Sequence, residues 1–226
     1  MNTIQTIWSA LTSQNEMFVK IQGIPLCFLD AYVGMIYFTT ILNIKSSPKR
    51  KLIYVITYGI IANFITFLVP QPYNVFINLF VWPLMVFFIL KTTILKSILS
   101  EIITLVATSI LEFLFANIYH LIFNVTSETI IVTPIYRLAV ALSIYGIIYL
   151  IAKLVNLFKV NIPVFENMST RTKILLILNA LLVVLVLGMQ FYLITFYSSN
   201  MPFVITFINI IGLIAYFSVS IATIVS

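Results

Sequence analysis

Three carboxylates sit inside stretches that are otherwise apolar: Asp30 within residues 24–42, and Glu101 and Glu112 within residues 98–119. An ionisable side chain in such a setting must be protonated, paired or in use, which makes each a candidate for ligand binding or proton handling. Glu101, Thr104, Thr108 and Glu112 follow one another at spacings of 3, 4 and 4. That spacing puts them on one stripe of a helix. The stripe serves either a ligand cavity and proton path, or helix–helix packing, with Glu101 paired to a nearby lysine and Glu112 protonated or bonded to an amide or phenol.

A second set is polar and aromatic. Tyr73, Asn74, Tyr119, Tyr192, Tyr197 and Asn200 all fall near the ends of apolar stretches. Such a set forms either an interfacial aromatic belt or a wet aromatic pocket for an apolar peptide or small molecule. Asp30, Glu112, Tyr73, Tyr192 and Asn200 are the ligand-binding candidates taken forward.

Other chemistries lack their residues. One cysteine, Cys27, and one histidine, His120, exclude a disulfide framework and a Cys/His metal cluster. The two could form a nucleophilic dyad only if the fold brought them together. There is no phosphate-binding loop and no serine nucleophile elbow, so neither a catalytic residue nor a cofactor is expected.

The elements that must position these residues are membrane helices. Of the 226 residues, 62% are hydrophobic and 8% charged, with a mean hydropathy of +1.16. A water-facing surface needs roughly a quarter of the residues charged. The fold expected is an all-α polytopic membrane bundle of about seven helices, or six if the weakest is lost. The apolar stretches are 24–42, 52–69, 75–90, 98–119, 136–154, 174–196 and 202–225. The third is the shortest and contains Trp82-Pro83, where a kink or irregular turn is expected. Residues 1–22 read as an interfacial segment, with Trp8 among helically spaced apolar residues, and 23–226 as the transmembrane domain. Asn179 and Gln190, and Asn209, Gly212, Tyr216 and Ser220, read as packing faces on the last two helices.

The loops alternate in charge. Lys45, Lys49, Arg50 and Lys51 follow the first span, Lys91 and Lys96 the third, and Lys159, Arg171 and Lys173 the fifth, while the intervening loops are neutral or acidic. The positive-inside rule then sets the N-terminus outside and the C-terminus in the cytoplasm of a bacterial cell membrane. Ten of the twelve basic residues fall inside, Lys20 and Arg137 being the exceptions. The net charge of +6 is explained this way, and no basic face for nucleic acid is present. The sequon Asn124-Val125-Thr126 carries no weight in such a protein. Residues 1–20 have no signal-peptide pattern, so the first span is expected to be its own insertion signal. The last span stops in apolar sequence at Ser226 without a basic anchor, from which a longer polypeptide is expected.

Seven weakly polar spans, a basic first inner loop and an abrupt cytoplasmic exit resemble the sensor half of the accessory-gene-regulator C-type receptor histidine kinases of Gram-positive bacteria and their clostridial relatives. The runs Thr133-Pro134-Ile135-Tyr136-Arg137-Leu138 and Asn209-Ile210-Ile211-Gly212-Leu213-Ile214-Ala215-Tyr216-Phe217 look similar to that group. The resemblance implies a homodimeric receptor in membrane lipid that detects an extracellular peptide and moves its last helix, with a cytoplasmic kinase region in the full protein. Neither the phospho-acceptor histidine nor the ATP-binding domain is present, so no enzyme activity carries over, and His120 is on the wrong side to be that acceptor. Two other functions compete. A substrate-binding subunit of a small-molecule uptake transporter would use a buried site at Asp30 or Glu112. A signal-peptide-maturing membrane peptidase would need Cys27 and His120 together at one face.

Overall fold

The computed structural model describes residues 8–9, 11–13, 16–70 and 73–158. Two compact units divide the chain at Ile162 and Pro163, and the described residues lie in the first. They form six helices and no strand: α1 (Glu16–Ile41), α2 (Pro48–Leu68), α3 (Tyr73–Leu90), α4 (Ile94–Phe123), α5 (Ser127–Val132) and α6 (Pro134–Leu157). A short helical piece precedes them at Trp8, where Thr12 donates its hydroxyl proton to the Trp8 carbonyl at 2.9 Å.

Four helices, at Met17–Ile41, Pro48–Leu68, Ile94–Phe123 and Pro134–Leu157, are long and apolar enough to cross a membrane. The all-helical fold and its membrane character thus follow the composition. The third apolar stretch forms the shorter α3, of 18 residues. At 1.5 Å per residue that is about 27 Å, just under a hydrocarbon core of about 30 Å. It runs as one helix through Pro83. The stretches 174–196 and 202–225 lie outside the described residues, as do Asn179, Gln190 and the run from Asn209 to Ser220.

Helix starts are locally encoded. Ser47, Thr93 and Thr126 cap α2, α4 and α5 by accepting the backbone N–H of Arg50, Lys96 and Thr129. Pro48 and Pro134 open α2 and α6 at positions where no intrahelical N–H is needed. Asn43, Lys91 and Asn124 end α1, α3 and α4 with positive φ. Between the fourth and fifth apolar stretches, where the sequence suggests a plain connector, α5 forms a single capped turn and a half. α1 also starts earlier than the apolar stretch at 24–42: the mixed residues from Glu16 to Gln22 are already helical. Asp30 consequently lies near the middle of α1.

α1 is the central helix, packing on α2, α4 and α6. Its pairing with α2 is antiparallel, since partners further along α1 are earlier on α2. Ile24 accepts from Asn63, Phe28 lies over Gly59, Asp30 meets Tyr58, and Phe38 meets Tyr54. On the other side of α1, Val33 joins Val125, Ile130, Val140, Ile144 and Ile148 in a core shared with α5 and α6.

The outer faces of the helices are strongly apolar. Leu52, Ile56, Ile60, Phe64 and Phe67 of α2 are exposed, as are Phe80, Leu84 and Phe88 of α3. They recur every three or four residues and form continuous apolar rows. Rows of this kind would aggregate in water and are the expected outer surface in lipid.

Candidate functional site

The four helices α1 to α4 border a small cavity of about 20 Å³ with a mixed polar and apolar wall, room for one water-sized occupant. α1 supplies Asp30, Gly34 and Phe38, and α2 supplies Tyr54 and Tyr58. α3 adds Val86, and α4 adds Ser100, Glu101 and Thr104. These come from the second halves of α1 and α3 and the first halves of α2 and α4. The loops after α1 and after α3 therefore lie at the same end of the bundle, the end that carries Lys45, Lys49, Arg50, Lys51, Lys91 and Lys96.

Asp30 is held by one strong contact. The Tyr58 hydroxyl donates to Asp30 Oδ2 at 2.8 Å. Tyr58 is in turn clamped by Trp82, whose ring stacks on it at 3.7 Å between centroids and 13° between planes. Tyr54 leans on Tyr58 at 5.7 Å and meets Phe38 edge-on at 5.9 Å. The phenol is thus fixed from two sides before it meets the carboxylate. Stacked and edge-on aromatic pairs contribute about 0.5–1.5 kcal/mol each beyond their buried area.

The hydroxyls of α4 are turned to their own backbone. Ser100 donates to the Ser97 carbonyl at 2.6 Å, Thr104 to Ser100 at 2.7 Å and Thr108 to Thr104 at 3.0 Å. Ser97, one turn earlier, reaches across to donate to the Pro83 carbonyl of α3. The stripe of the sequence pattern is therefore divided. Glu101 and Thr104 border the cavity beside Asp30, whereas Thr108 does not and Glu112 is exposed. The charged group that acts on Glu101 across the cavity is Asp30.

Of the other sequence candidates, Tyr73 is 64% exposed at the start of α3, away from the cavity. Tyr192, Tyr197 and Asn200 lie outside the described residues. Asn74 is buried and its Oδ1 has no hydrogen-bond partner. Tyr119 stands in a cluster with Phe123, at 5.3 Å, and Tyr136, at 6.4 Å. Leu121 and Ile122 at the end of α4 and Ile131 of α5 are exposed. Among the described residues no hydrogen bond joins Cys27 to His120; the His120 ring is bonded through Nδ1 to the Val125 carbonyl at 3.2 Å. Arg137 is close enough to Cys27 and Glu112 to act on both electrostatically. No cluster of three or more metal-ligating side chains occurs among the described residues.

Tyr54, Tyr58 and Trp82 are absent from the residues that sequence pattern selects. The only local signal was the one-turn spacing of Tyr54 and Tyr58, and it acquires meaning once α1 is known to lie opposite.

Fold and cavity together define a helical bundle of membrane type with a carboxylate-lined interior. No protein-family model matches the chain, and no curated protein or solved structure matches it.

Proposed function

We propose that this chain is the membrane-embedded sensor module of a two-component receptor histidine kinase. It detects an apolar extracellular peptide at the end opposite the basic loops and passes the signal through its last helix to a cytoplasmic kinase region. The observation that carries this proposal is the aromatic cluster of Tyr119, Phe123 and Tyr136. Exposed Leu121 and Ile122 fall in the same last turns of α4 and exposed Ile131 in α5, and Arg137 follows Tyr136 by one residue. Aromatic anchors with a nearby cation suit a peptide that is apolar and ends in a carboxylate. The N-terminus outside, the C-terminus inside, seven spans and a homodimer complete this assignment.

The test is a chimera in which this chain continues into the kinase half of a well-behaved histidine kinase with a transcriptional reporter. The probe is the peptide fraction of spent medium from the source culture. A reporter response is expected, and Phe123→Ala and Tyr136→Ala should abolish it at unchanged membrane level. An unsubstituted chimera that ignores the fraction, or variants that respond normally, would sink the proposal.

One observation favours a second function, the substrate subunit of an uptake transporter: the small cavity at Asp30. Its size ranks this function lower. A cavity of about 20 Å³ admits an ion or a water, whereas sites for vitamin-sized molecules run to roughly 300–1,000 Å³.

A further inference from the structure

We infer that the cavity between α1, α2, α3 and α4 is a binding site for a small hard monovalent cation, a sodium ion or the proton itself. This inference does not depend on the sensor assignment.

The case rests on which protons in the wall are already committed. Tyr58 has one hydroxyl proton and gives it to Asp30. Ser100 and Thr104 give theirs to helix carbonyls. A hydroxyl that has donated presents only lone pairs. Beside apolar Ala31, Met35, Phe38 and Val86, the polar part of the wall therefore offers two carboxylates and three committed hydroxyl oxygens, against a single uncommitted donor among the described residues, Tyr54. An occupant that needs donors is refused, and one that needs oxygen acceptors is accommodated. Oxygen-only ligand sets select hard cations. A volume near 20 Å³ limits that cation to one without its hydration shell.

Charge leads to the same conclusion. Asp30 and Glu101 border one cavity, and no described Lys or Arg borders it with them. Two unpaired negative charges inside a bilayer cost several kcal/mol each. A proton or a metal cation would offset that cost. The groups that act electrostatically around Asp30 are Cys27 on α1, Tyr54 and Tyr58 on α2, Glu101 and Glu112 on α4, and Tyr145 on α6. α3 contributes no titratable group to the cavity wall; Arg137 of α6 acts on Cys27, Glu112 and Tyr145 and does not border the cavity.

Outside the cavity, α3 carries two further unpaired acceptors. Asn74 and Asn78 of α3 each hold a buried side-chain oxygen with no partner. They precede Trp82 at spacings of four, so all three share one face of α3. Asn74 is only 7% exposed. A buried amide left unpaired costs about 1–3 kcal/mol unless something occupies its lone pair. The unpaired oxygens lie on the same α3 face as Trp82, which covers Tyr58. They lie nearer the start of α3 than Val86 and do not border the cavity.

Trp82 makes the site observable, because it stacks on the phenol that binds Asp30. The chain has two tryptophans, so Trp8→Phe leaves Trp82 as the sole emitter. The full chain with that substitution would be placed in nanodiscs, and choline chloride replaced by sodium chloride at constant pH and ionic strength. A second titration would run from about pH 5 to about pH 9 in choline alone. A saturable emission change with sodium identifies the metal ion; one with pH alone identifies the proton. Either change should vanish in Asp30→Asn and in Glu101→Gln. Should those variants not elute as single species, Ser100→Ala removes one neutral oxygen and should weaken the midpoint about five-fold, the equivalent of one ordinary hydrogen bond. Emission indifferent to both titrations, a change that persists in both carboxylate variants, or an unmoved midpoint in Ser100→Ala would overturn the inference.

Discussion

At the scale of single residues, the strongest constraint is steric and lies beside the cavity. A Cβ at Gly59 would stand 2.3 Å from Cδ1 of the Phe28 ring. No side chain tolerates that approach, so the ring or the α1–α2 spacing must move. Gly59→Ala is expected to cost about 1–3 kcal/mol, the usual range for overpacking, read as a lower melting temperature of the purified chain. A melting temperature equal to the parent's would mean that α1 and α2 are not packed through this pair. Tyr58→Phe should be milder. It leaves Asp30 without its donor, and interhelical hydrogen bonds in membranes average about 0.6 kcal/mol. A drop near 1 kcal/mol is expected, accompanied by a shift in Trp82 emission because the stacked ring loses its anchor; an unmoved spectrum would contradict the stacking. Legibility differed between these residues for a physical reason. Asp30 was visible in the sequence because a carboxylate among apolar residues has no neutral explanation. Tyr58 was not, since a tyrosine in a span packs well with or without a partner. Glu112 shares a helical stripe with Glu101 yet is exposed, because a stripe specifies a direction from its own helix and nothing about what stands opposite at each turn.

At the scale of elements, α3 and α4 depend on one polar clamp. Pro83 lacks the N–H that would continue the ladder to Leu79, and one turn of α3 is weakened there. Ser97, 1% exposed, ties α4 to that weakened turn by donating to the Pro83 carbonyl. Ser97→Ala is expected to destabilise the chain by about 1 kcal/mol. Its signature is local: single cysteines added on facing turns of α3 and α4, in a Cys27→Ser background, should crosslink less efficiently. Equal crosslinking would show that apolar packing alone holds α3 in place. The composition and periodicity of α2, α4 and α6 predicted helices that the structure contains, since long apolar runs leave the backbone no other way to satisfy itself in lipid. Boundaries were less legible. α1 begins at Glu16 because a helix once nucleated continues through Lys20 and Gln22 as cheaply as it would stop, and hydropathy registers only the apolar part. α5 was missed because its signal is a Thr126 cap with Glu128 in the first turn, too short for any periodicity to register.

At the scale of the whole molecule, the arrangement of α1 to α4 makes the loop charges a geometric statement. Because one cavity is lined by the late parts of α1 and α3 and the early parts of α2 and α4, the loops carrying Lys45 and Lys91 must share an end. The end of α4 at Asn124 must be the other, since α4 runs on for two-thirds of its length past the cavity. Charge alone had suggested this alternation, but only if the short third stretch crossed; the cavity puts the loops after α1 and α3 at one end independently of the length of α3. Which end faces the cytoplasm is what the basic loops predict, and labelling can decide it. In a Cys27→Ser background, Lys45→Cys, Lys91→Cys and Asn124→Cys would each be treated with a membrane-impermeant maleimide. Intact cells should label only Asn124→Cys, and the other two should label after permeabilisation. The opposite pattern would invert the orientation and move the aromatic cluster of Tyr119, Phe123 and Tyr136 to the cytoplasmic side, removing the proposed peptide site. Labelling of Lys45→Cys and Lys91→Cys from different sides would be a deeper failure. It would mean that α3 does not cross, and then neither the shared cavity nor its cation could exist as described.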